Sequence, residues 1–166
     1  MVVRPIRLFG DPVLRSAVDP IGRIDDAVRA LVADLIDTVT VPGRAGVAAP
    51  QIGVGLCAFS YNIDGDIGYV LNPVLVEVRG EAVAIDEGCL SVPGLSFARR
   101  RHPWARVVGI DLNGAPLDLS GDGLFAQALQ HECDHLAGRL YIEALDPEIK
   151  RDAMRAVRQA DWFAAR

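Results

Sequence analysis

The segment that most constrains this chain is His131-Glu-Cys-Asp-His135, in which a glutamate follows the first of two histidines. On an α-helix, a separation of four residues brings the second side chain to within roughly 40° of the first, so both imidazoles can bind one metal ion. Glu132 is rotated off that face, where its carboxylate can exchange a proton with water without binding the ion. The spacing therefore predicts a metal site suited to hydrolysis.

The residues before this segment favour a largely buried helix. Leu124, Phe125, Ala128 and Leu129 are apolar at helical spacing. A histidine on a buried helix face needs partners for both ring nitrogens. Two of the three histidines in the chain lie in this segment, which favours a shared metal ion over two unrelated surface side chains.

A catalytic metal site usually has three protein ligands and one open position, so a third ligand must come from another segment. One class of metallopeptidase has a later histidine, but this chain has Tyr141 at that place. A second class uses a glutamate, for which Glu143 and Glu148 are the nearby candidates. Cys89 is a stronger candidate because thiolate binds borderline divalent ions well, although most free cysteines are simply small buried side chains.

A segment rich in glycine and alanine is the third informative pattern. It runs from Pro42 to Gly53 and includes Gln51. Its small residues would let a substrate backbone lie against the chain. The side-chain N–H of Gln51 could then donate to a developing oxyanion.

Together the three motifs resemble those of the peptide deformylase family. That family is marked by a glycine-rich segment ending in Ala-Ala-x-Gln, by Glu-Gly-Cys-Leu-Ser and by Gln-His-Glu-x-Asp-His, and all three occur here in the same order. The resemblance extends over Phe9–Arg15, Asn72–Leu75 and Arg99–Arg101. It therefore covers most of the chain up to about Tyr141.

The resemblance implies a hydrolase that removes the N-formyl group from the N-terminal formylmethionine of newly synthesised proteins and releases formate. Its metal ligands would be Cys89, His131 and His135, holding one divalent ion. The family favours ferrous iron in the cell, and a thiolate with two imidazoles also accepts zinc, nickel or cobalt.

The same resemblance assigns roles around the metal. Glu132 would transfer protons, while Gln51 and the backbone N–H of Leu90 would stabilise the oxyanion. Gly46 would pair its backbone with the substrate. The expected walls of the methionine pocket are Ala45, Leu124 and Ala128.

One departure from the family pattern is Arg44, which stands two positions before Gly46, where a glycine is usual. It places a long cation at what resembles the rim of the substrate groove, although we expect its side chain to point into solvent. Two rival functions remain open here. One is a zinc endopeptidase with a carboxylate ligand, and the other is an inactive relative that binds peptides or ribosomes, which only Arg44 favours.

Composition narrows the class of protein. We expect one domain, residues 1–166, and the sequence contains no apolar run of membrane-spanning length. Its start lacks the pattern of a secretory signal, which predicts a cytoplasmic enzyme without membrane partners. Three cysteines without paired spacing argue against a disulfide framework. The sequence has neither a phosphate-binding loop nor a nucleophile elbow, which disfavours nucleotide-binding and serine hydrolase functions.

The terminal helix is expected at about residues 147–163 and carries a basic stripe of Arg151, Arg155 and Arg158. The net charge of −5 gives no general reason to expect nucleic-acid binding. Such a stripe is usually a solvated face. The resemblance implies an alternative, in which it docks on the ribosome.

Local patterns predict the remaining elements. Asp25 is expected to cap a helix from Asp26 to about Val39. Strands are expected at residues 56–61, 69–78, 105–112 and 115–119, with a turn at 62–68 and a two-residue hairpin turn at Asn113-Gly114. Hairpin-joined strands with helices before and after them predict an α+β fold. We expect antiparallel sheets packed around a central helix carrying the His-Glu-x-x-His motif, with a C-terminal helix.

Overall fold

A computed structural model of the chain describes residues 2–165 and confirms the α+β class. Its helices are α1 (Asp26–Val39), α2 (Gly123–Leu136), α3 (Pro147–Gln159) and α4 (Asp161–Ala164). Its strands are β1 (Gly46–Ala48), β2 (Ala58–Ile63), β3 (Asp66–Arg79), β4 (Val83–Gly88), β5 (Ser96–Arg101), β6 (Trp104–Ile110) and β7 (Pro116–Asp122). Short 3-10 turns lie at Pro12–Arg15, Ala49–Ile52 and Tyr141–Ala144. Within residues 2–165, no helix has the length and apolarity that crossing a membrane requires.

Five strands form one antiparallel sheet in the order β1-β2-β3-β6-β7, and β4 pairs with β5 in a separate hairpin. Along β2 the side chains alternate between the two faces of the sheet. Ala58 packs in the cluster that contains α1, whereas Phe59 packs with residues of α2. Ser60 returns to the α1 side, where its hydroxyl donates to the Leu35 carbonyl at 3.0 Å. The sheet is therefore covered by α1 on one face and by α2 on the other.

Helix α2 lies between this sheet and the β4–β5 hairpin. Ala126 and Leu129 pack against the sheet. On the hairpin side, the Gln127 side-chain amide donates to the Asp86 carbonyl of β4 at 3.1 Å. Both histidines of the motif consequently lie in the interior of the fold.

Helix α1 has the predicted bounds and the predicted cap. The Asp25 carboxylate accepts a hydrogen bond from the Val28 backbone N–H at 3.0 Å, which satisfies one of the free donors of the first turn. The apolar face of the helix is buried as its spacing indicates, through Val28, Leu31 and Leu35.

The first hairpin is tighter than predicted. The expected turn at 62–68 contracts to Asp64 and Gly65, which both have positive φ, 53° and 90°. Such a two-residue turn matches the twist of the flanking strands, so pairing extends to Ile63 and Asp66. The strands consequently run from 58 to 63 and from 66 to 79 instead of from 56 to 61 and from 69 to 78.

The prediction of a two-residue turn at Asn113-Gly114 is wrong. The Asp111 backbone N–H donates to the Ala115 carbonyl at 2.9 Å, and these two residues enclose a three-residue loop. The Asp111 carboxylate accepts from the N–H groups of Asn113 and Ala115 at 2.7 and 2.9 Å. Gly114 completes the loop with a φ of 77°. The longer loop is therefore favoured by the Asp111 side chain, which binds its backbone.

The single terminal helix expected to about residue 163 is interrupted. Helix α3 ends at Gln159, and Ala160 is extended before α4 begins. The Trp162 indole N–H donates to the Pro93 carbonyl at 3.0 Å, and Phe163 packs against the core cluster beside it. Burial of these two aromatic side chains accounts for the break, because a continuous helix would turn them elsewhere.

Candidate metal centre

The side chains of one cysteine and two histidines converge where the end of β4 meets α2. Cys89 directly follows β4, and His131 and His135 lie on successive turns of α2. The Cys89 Sγ is 3.3 Å from the His135 Nε2, which is 3.1 Å from the His131 Nε2. All three donor atoms lie within 4.8 Å of one another. In the part of the chain that the structure describes, no other group of three such side chains converges in this way.

This donor set fits a single divalent ion. The His131 Nδ1 lies 2.7 Å from the Glu87 carboxylate and therefore carries the ring proton, which leaves the Nε2 lone pair facing His135. Around a tetrahedral ion, nitrogen and sulfur ligands at about 2.0 and 2.3 Å lie roughly 3.3 to 3.6 Å apart. The two separations that involve the His135 Nε2 are close to these values, and all three donor atoms lie within 4.8 Å of one another, so one ion fits among them.

Glu87 is held in its ionised form by Arg101. Although burial raises the pKa of Glu87, hydrogen bonds from Arg101 and His131 lower it to about 2. The Arg101 guanidinium contacts both carboxylate oxygens at 2.9 and 2.7 Å and also donates to Asp134 at 2.7 Å. Glu87 is not among the site residues that the sequence predicts. The available signal was a carboxylate two positions before Cys89.

Replacing Arg101 with alanine is expected to lower the free energy of unfolding by about 3 to 5 kcal/mol, because Glu87 would stay buried without its cation. Urea unfolding followed by circular dichroism measures this loss. Arg106→Ala is the matched control, since Arg106 pairs with Asp118 on the exposed side of the sheet. We expect a much smaller loss there, and equal losses in both variants would contradict the role of the buried pair.

Glu132 lies beside the cluster and faces Gly46. Its side chain is buried, its Oε2 has no hydrogen-bond partner among residues 2–165, and a Cβ at Gly46 would overlap its other oxygen. Burial raises the pKa of Glu132 to about 7. A carboxyl group with this pKa can accept a proton and return it near neutral pH.

Gln51 presents its amide N–H groups to the cluster. Its Oε1 accepts from the Ala48 backbone N–H at 2.9 Å, which fixes the orientation of the amide. Its Nε2 then lies 3.6 Å from the Cys89 Sγ and 3.3 Å from the Ser91 hydroxyl. The Leu90 backbone N–H has no acceptor among the hydrogen bonds of residues 2–165. Two donors are thus available beside the cluster.

A groove of about 620 Å³ leads to these groups. Its walls include every residue predicted to contact substrate: Ala45, Gly46, Leu124 and Ala128. Leu124 is 49% exposed despite its apolar side chain, as a groove wall requires. Arg44 also lines the groove, whereas we expected it to point into solvent.

The other residues considered as ligands lie outside the cluster. Glu143 accepts from the Leu140 backbone N–H at 3.1 Å, and Glu148 is exposed on α3. The Tyr141 hydroxyl donates to the Leu95 carbonyl at 3.2 Å. Cys133 packs toward the sheet and is absent from the donor group. A carboxylate third ligand is therefore not supported by the arrangement.

Comparisons with known proteins show the family of the chain. The family model described as Polypeptide deformylase matches residues 3–151. A peptide deformylase from Acidothermus cellulolyticus is 49% identical over 98% of this chain and 89% of its own length, and peptide deformylase 1 from Corynebacterium efficiens is 39% identical over 98% and 99%.

Solved structures of peptide deformylases also resemble this chain. A peptide deformylase from Legionella pneumophila superimposes with a TM-score of 0.90 at 34% identity and covers 99% of both chains. One from Synechococcus elongatus, in complex with actinonin, gives 0.86 at 30% identity over 96% of this chain and 88% of its own. The likeness therefore extends over nearly the whole fold.

Proposed function

Because this chain belongs to the peptide deformylase family, whose metal-dependent members remove the N-formyl group from nascent proteins, we propose that its reaction takes place where Cys89, His131 and His135 meet. The enzyme hydrolyses the formamide of an N-terminal formylmethionine and releases formate and a free amine. One observation carries the assignment of the site: two of the three metal-binding residues, Cys89 and His131, line the same groove as Glu132, a buried carboxylate, and His135 contacts both of them.

Cys89, His131 and His135 would hold one divalent ion. When bound, this ion acts as a Lewis acid, which lowers the pKa of a water molecule toward about 7 and polarises a carbonyl. Glu87 fixes the orientation of the His131 ring through its hydrogen bond.

The ion in the cell is ferrous iron, with zinc, nickel or cobalt as replacements. Metal analysis of anaerobically purified protein, with rates for each ion, tests this choice, and an iron form no faster than the zinc form would contradict it.

The protein groups around the substrate have distinct roles. Glu132 accepts a proton from the attacking water and later donates it to the departing amine. The Gln51 amide and the Leu90 backbone N–H donate to the formyl oxygen as it gains negative charge. Gly46 leaves room for the Glu132 carboxylate and lets the substrate backbone approach β1.

Selectivity for the formyl group is steric. Formyl is the smallest acyl group, and the Glu132 carboxylate already fills the space in front of Gly46, so the methyl group of an acetyl substrate is excluded by shape. The methionine side chain lies against the apolar wall made by Leu124 and Ala128, with Ala45 across the groove.

Replacing Gln51 with alanine is expected to reduce kcat by about 10² to 10³, the usual effect of removing one oxyanion donor. Steady-state kinetics on a formylated tripeptide measures it. Ser96→Ala is the control, because Ser96 also lines the groove but its hydroxyl donates to the exposed Asp86 carboxylate instead of facing the cluster. A loss of similar size in both variants would argue against a specific role for Gln51.

Formate release from formyl-Met-Ala-Ser is the direct test of the function. We expect robust turnover of this peptide and none of acetyl-Met-Ala-Ser. A zinc endopeptidase would cleave internal peptide bonds without releasing formate, and an inactive relative would release none. Either result would overturn the proposed function.

The basic side of α3 is the proposed contact with the ribosome, and the cytoplasm, where nascent chains form, is the proposed location. Arg155 pairs with Asp152 at 3.6 Å, but Arg151 and Arg158 border a shallow depression together with Lys150. Cosedimentation with ribosomes at increasing salt tests the contact, because binding to phosphates weakens steeply with salt. Unchanged binding after Arg151→Glu and Arg158→Glu together would exclude it.

A further inference from the structure

We propose that Arg44 selects formylated chains with an acidic side chain at their third residue. The proposal rests on the function proposed above and specifies a substrate preference that this function leaves open. It starts from an arginine without a carboxylate partner in the wall of the groove.

Arg44 lies just before β1 and is held in place by the end of α1. Its Nη1 donates to the Thr38 carbonyl at 2.8 Å, in the last turn of that helix. This bond uses one of the five N–H donors of the guanidinium. Within residues 2–165, no carboxylate oxygen lies within 4.0 Å of the Arg44 guanidinium nitrogens. The cation is therefore anchored and still available to an anion in the groove.

Arg44 differs in position and in charge from the other ionisable residues that line the groove. Cys89, His131 and Glu132 belong to the metal cluster or lie beside it. Arg44 is the one arginine or lysine among the described residues of the groove wall, and its guanidinium carries a positive charge. An anionic substrate side chain near it is attracted, and a cationic one is repelled.

The position of Arg44 relative to β1 indicates which substrate residue it meets. Strand β1 lies at the edge of the sheet and, among the strands of residues 2–165, pairs only with β2, so its other edge can accept an extended peptide. A peptide antiparallel to β1, with its formyl end toward Gln51, runs its later residues toward Arg44. Arg44 lies two residues before Gly46, with a bend in the backbone at Ala45, so the two residues are separated by at most about 7 Å. When methionine lies beside Gly46, the third residue lies beside Arg44.

The test compares formyl-Met-Ala-Glu, formyl-Met-Ala-Ser and formyl-Met-Ala-Lys. At low ionic strength we expect kcat/KM for the glutamate peptide to exceed that for the lysine peptide about fivefold, and the ratio to shrink as salt is raised. Formyl-Met-Glu-Ala, with the acid one residue earlier, should show a smaller gain. Calorimetric titration of the products Met-Ala-Glu and Met-Ala-Lys gives the same comparison without turnover.

Substitutions at Arg44 distinguish a role in substrate selection from a role in stabilising the fold. Arg44→Gln is expected to bring the ratio to about one, Arg44→Glu to invert it and Arg44→Lys to retain its direction. Loss of the bond to Thr38 would lower the rates for all peptides together and leave the ratio unchanged. Arg23→Gln is the matched control, since Arg23 is exposed, lies outside the groove and has the same charge.

The outcomes distinguish this proposal from the function on which it rests. If formyl-Met-Ala-Ser is hydrolysed but the ratio is equal in the wild type and in Arg44→Gln, the preference is overturned and the function stands. If the metal-loaded wild type hydrolyses none of the formylated peptides, the function fails. The product titrations then decide the role of Arg44, and equal affinities for both products would overturn it.

Discussion

Replacing Cys89 with alanine is expected to release the metal ion and to abolish formate release. Thiolate is the strongest donor of the three, and the two imidazoles that remain both come from α2. Loss of a group that merely orients a ligand lowers metal affinity about 10- to 100-fold, so loss of a ligand itself should exceed this range. Metal stoichiometry after dialysis, measured together with formate release, checks both effects.

Two other cysteines provide controls for this substitution. Cys133 and Cys57 pack against the sheet cluster and lie outside the donor group. Cys133→Ala and Cys57→Ala should therefore retain one ion per chain. If Cys89→Ala also kept its ion, a different third ligand would have to be sought, and the proposed site would be wrong.

Replacing Glu132 with glutamine is expected to lower kcat by about 10² to 10⁴ while the metal content stays the same. Glutamine preserves the shape of the side chain that fills the space beside Gly46, but it cannot accept the proton of the attacking water. The carboxylate lies outside the three-donor cluster, which is why the ion should remain. Kinetics and metal analysis on one preparation give both quantities.

Glu148→Gln is the control for the change of charge, because Glu148 is exposed on α3, away from the groove. We expect it to leave kcat and metal content as in the wild type. If Glu132→Gln lost its ion, Glu132 would be a ligand or would support one, and its assignment as proton carrier would fail.

The parts of the site that lie on one helix could be predicted from the sequence. The spacing of His131 and His135 fixes their relative orientation once α2 forms, and burial of their helix follows from its apolar residues. The local sequence leaves Cys89 as one of several candidates for the third metal ligand, because nothing local shows that the end of β4 lies beside α2. The family resemblance is what singles it out.

The interactions that hold the site residues in place could not be predicted, because they join strands and helices that are separate in the sequence. Glu87 lies on β4 and Arg101 on β5, and only their pairing across the hairpin turns two ordinary charges into one buried ion pair. Arg44 was expected in solvent for the same reason, since its anchor is a backbone carbonyl of α1. The break at Ala160 likewise depends on contacts that the Trp162 side chain makes far along the chain.

The three donors also have a consequence for the lifetime of the enzyme. One ion would cross-link the segment after β4 to α2, so that opening either segment requires its release. An ion that binds only the folded chain shifts the unfolding equilibrium in proportion to the logarithm of its free concentration. Cells starved of that metal would therefore hold fewer copies of the enzyme, since unloaded chains would open more often and be degraded by proteases.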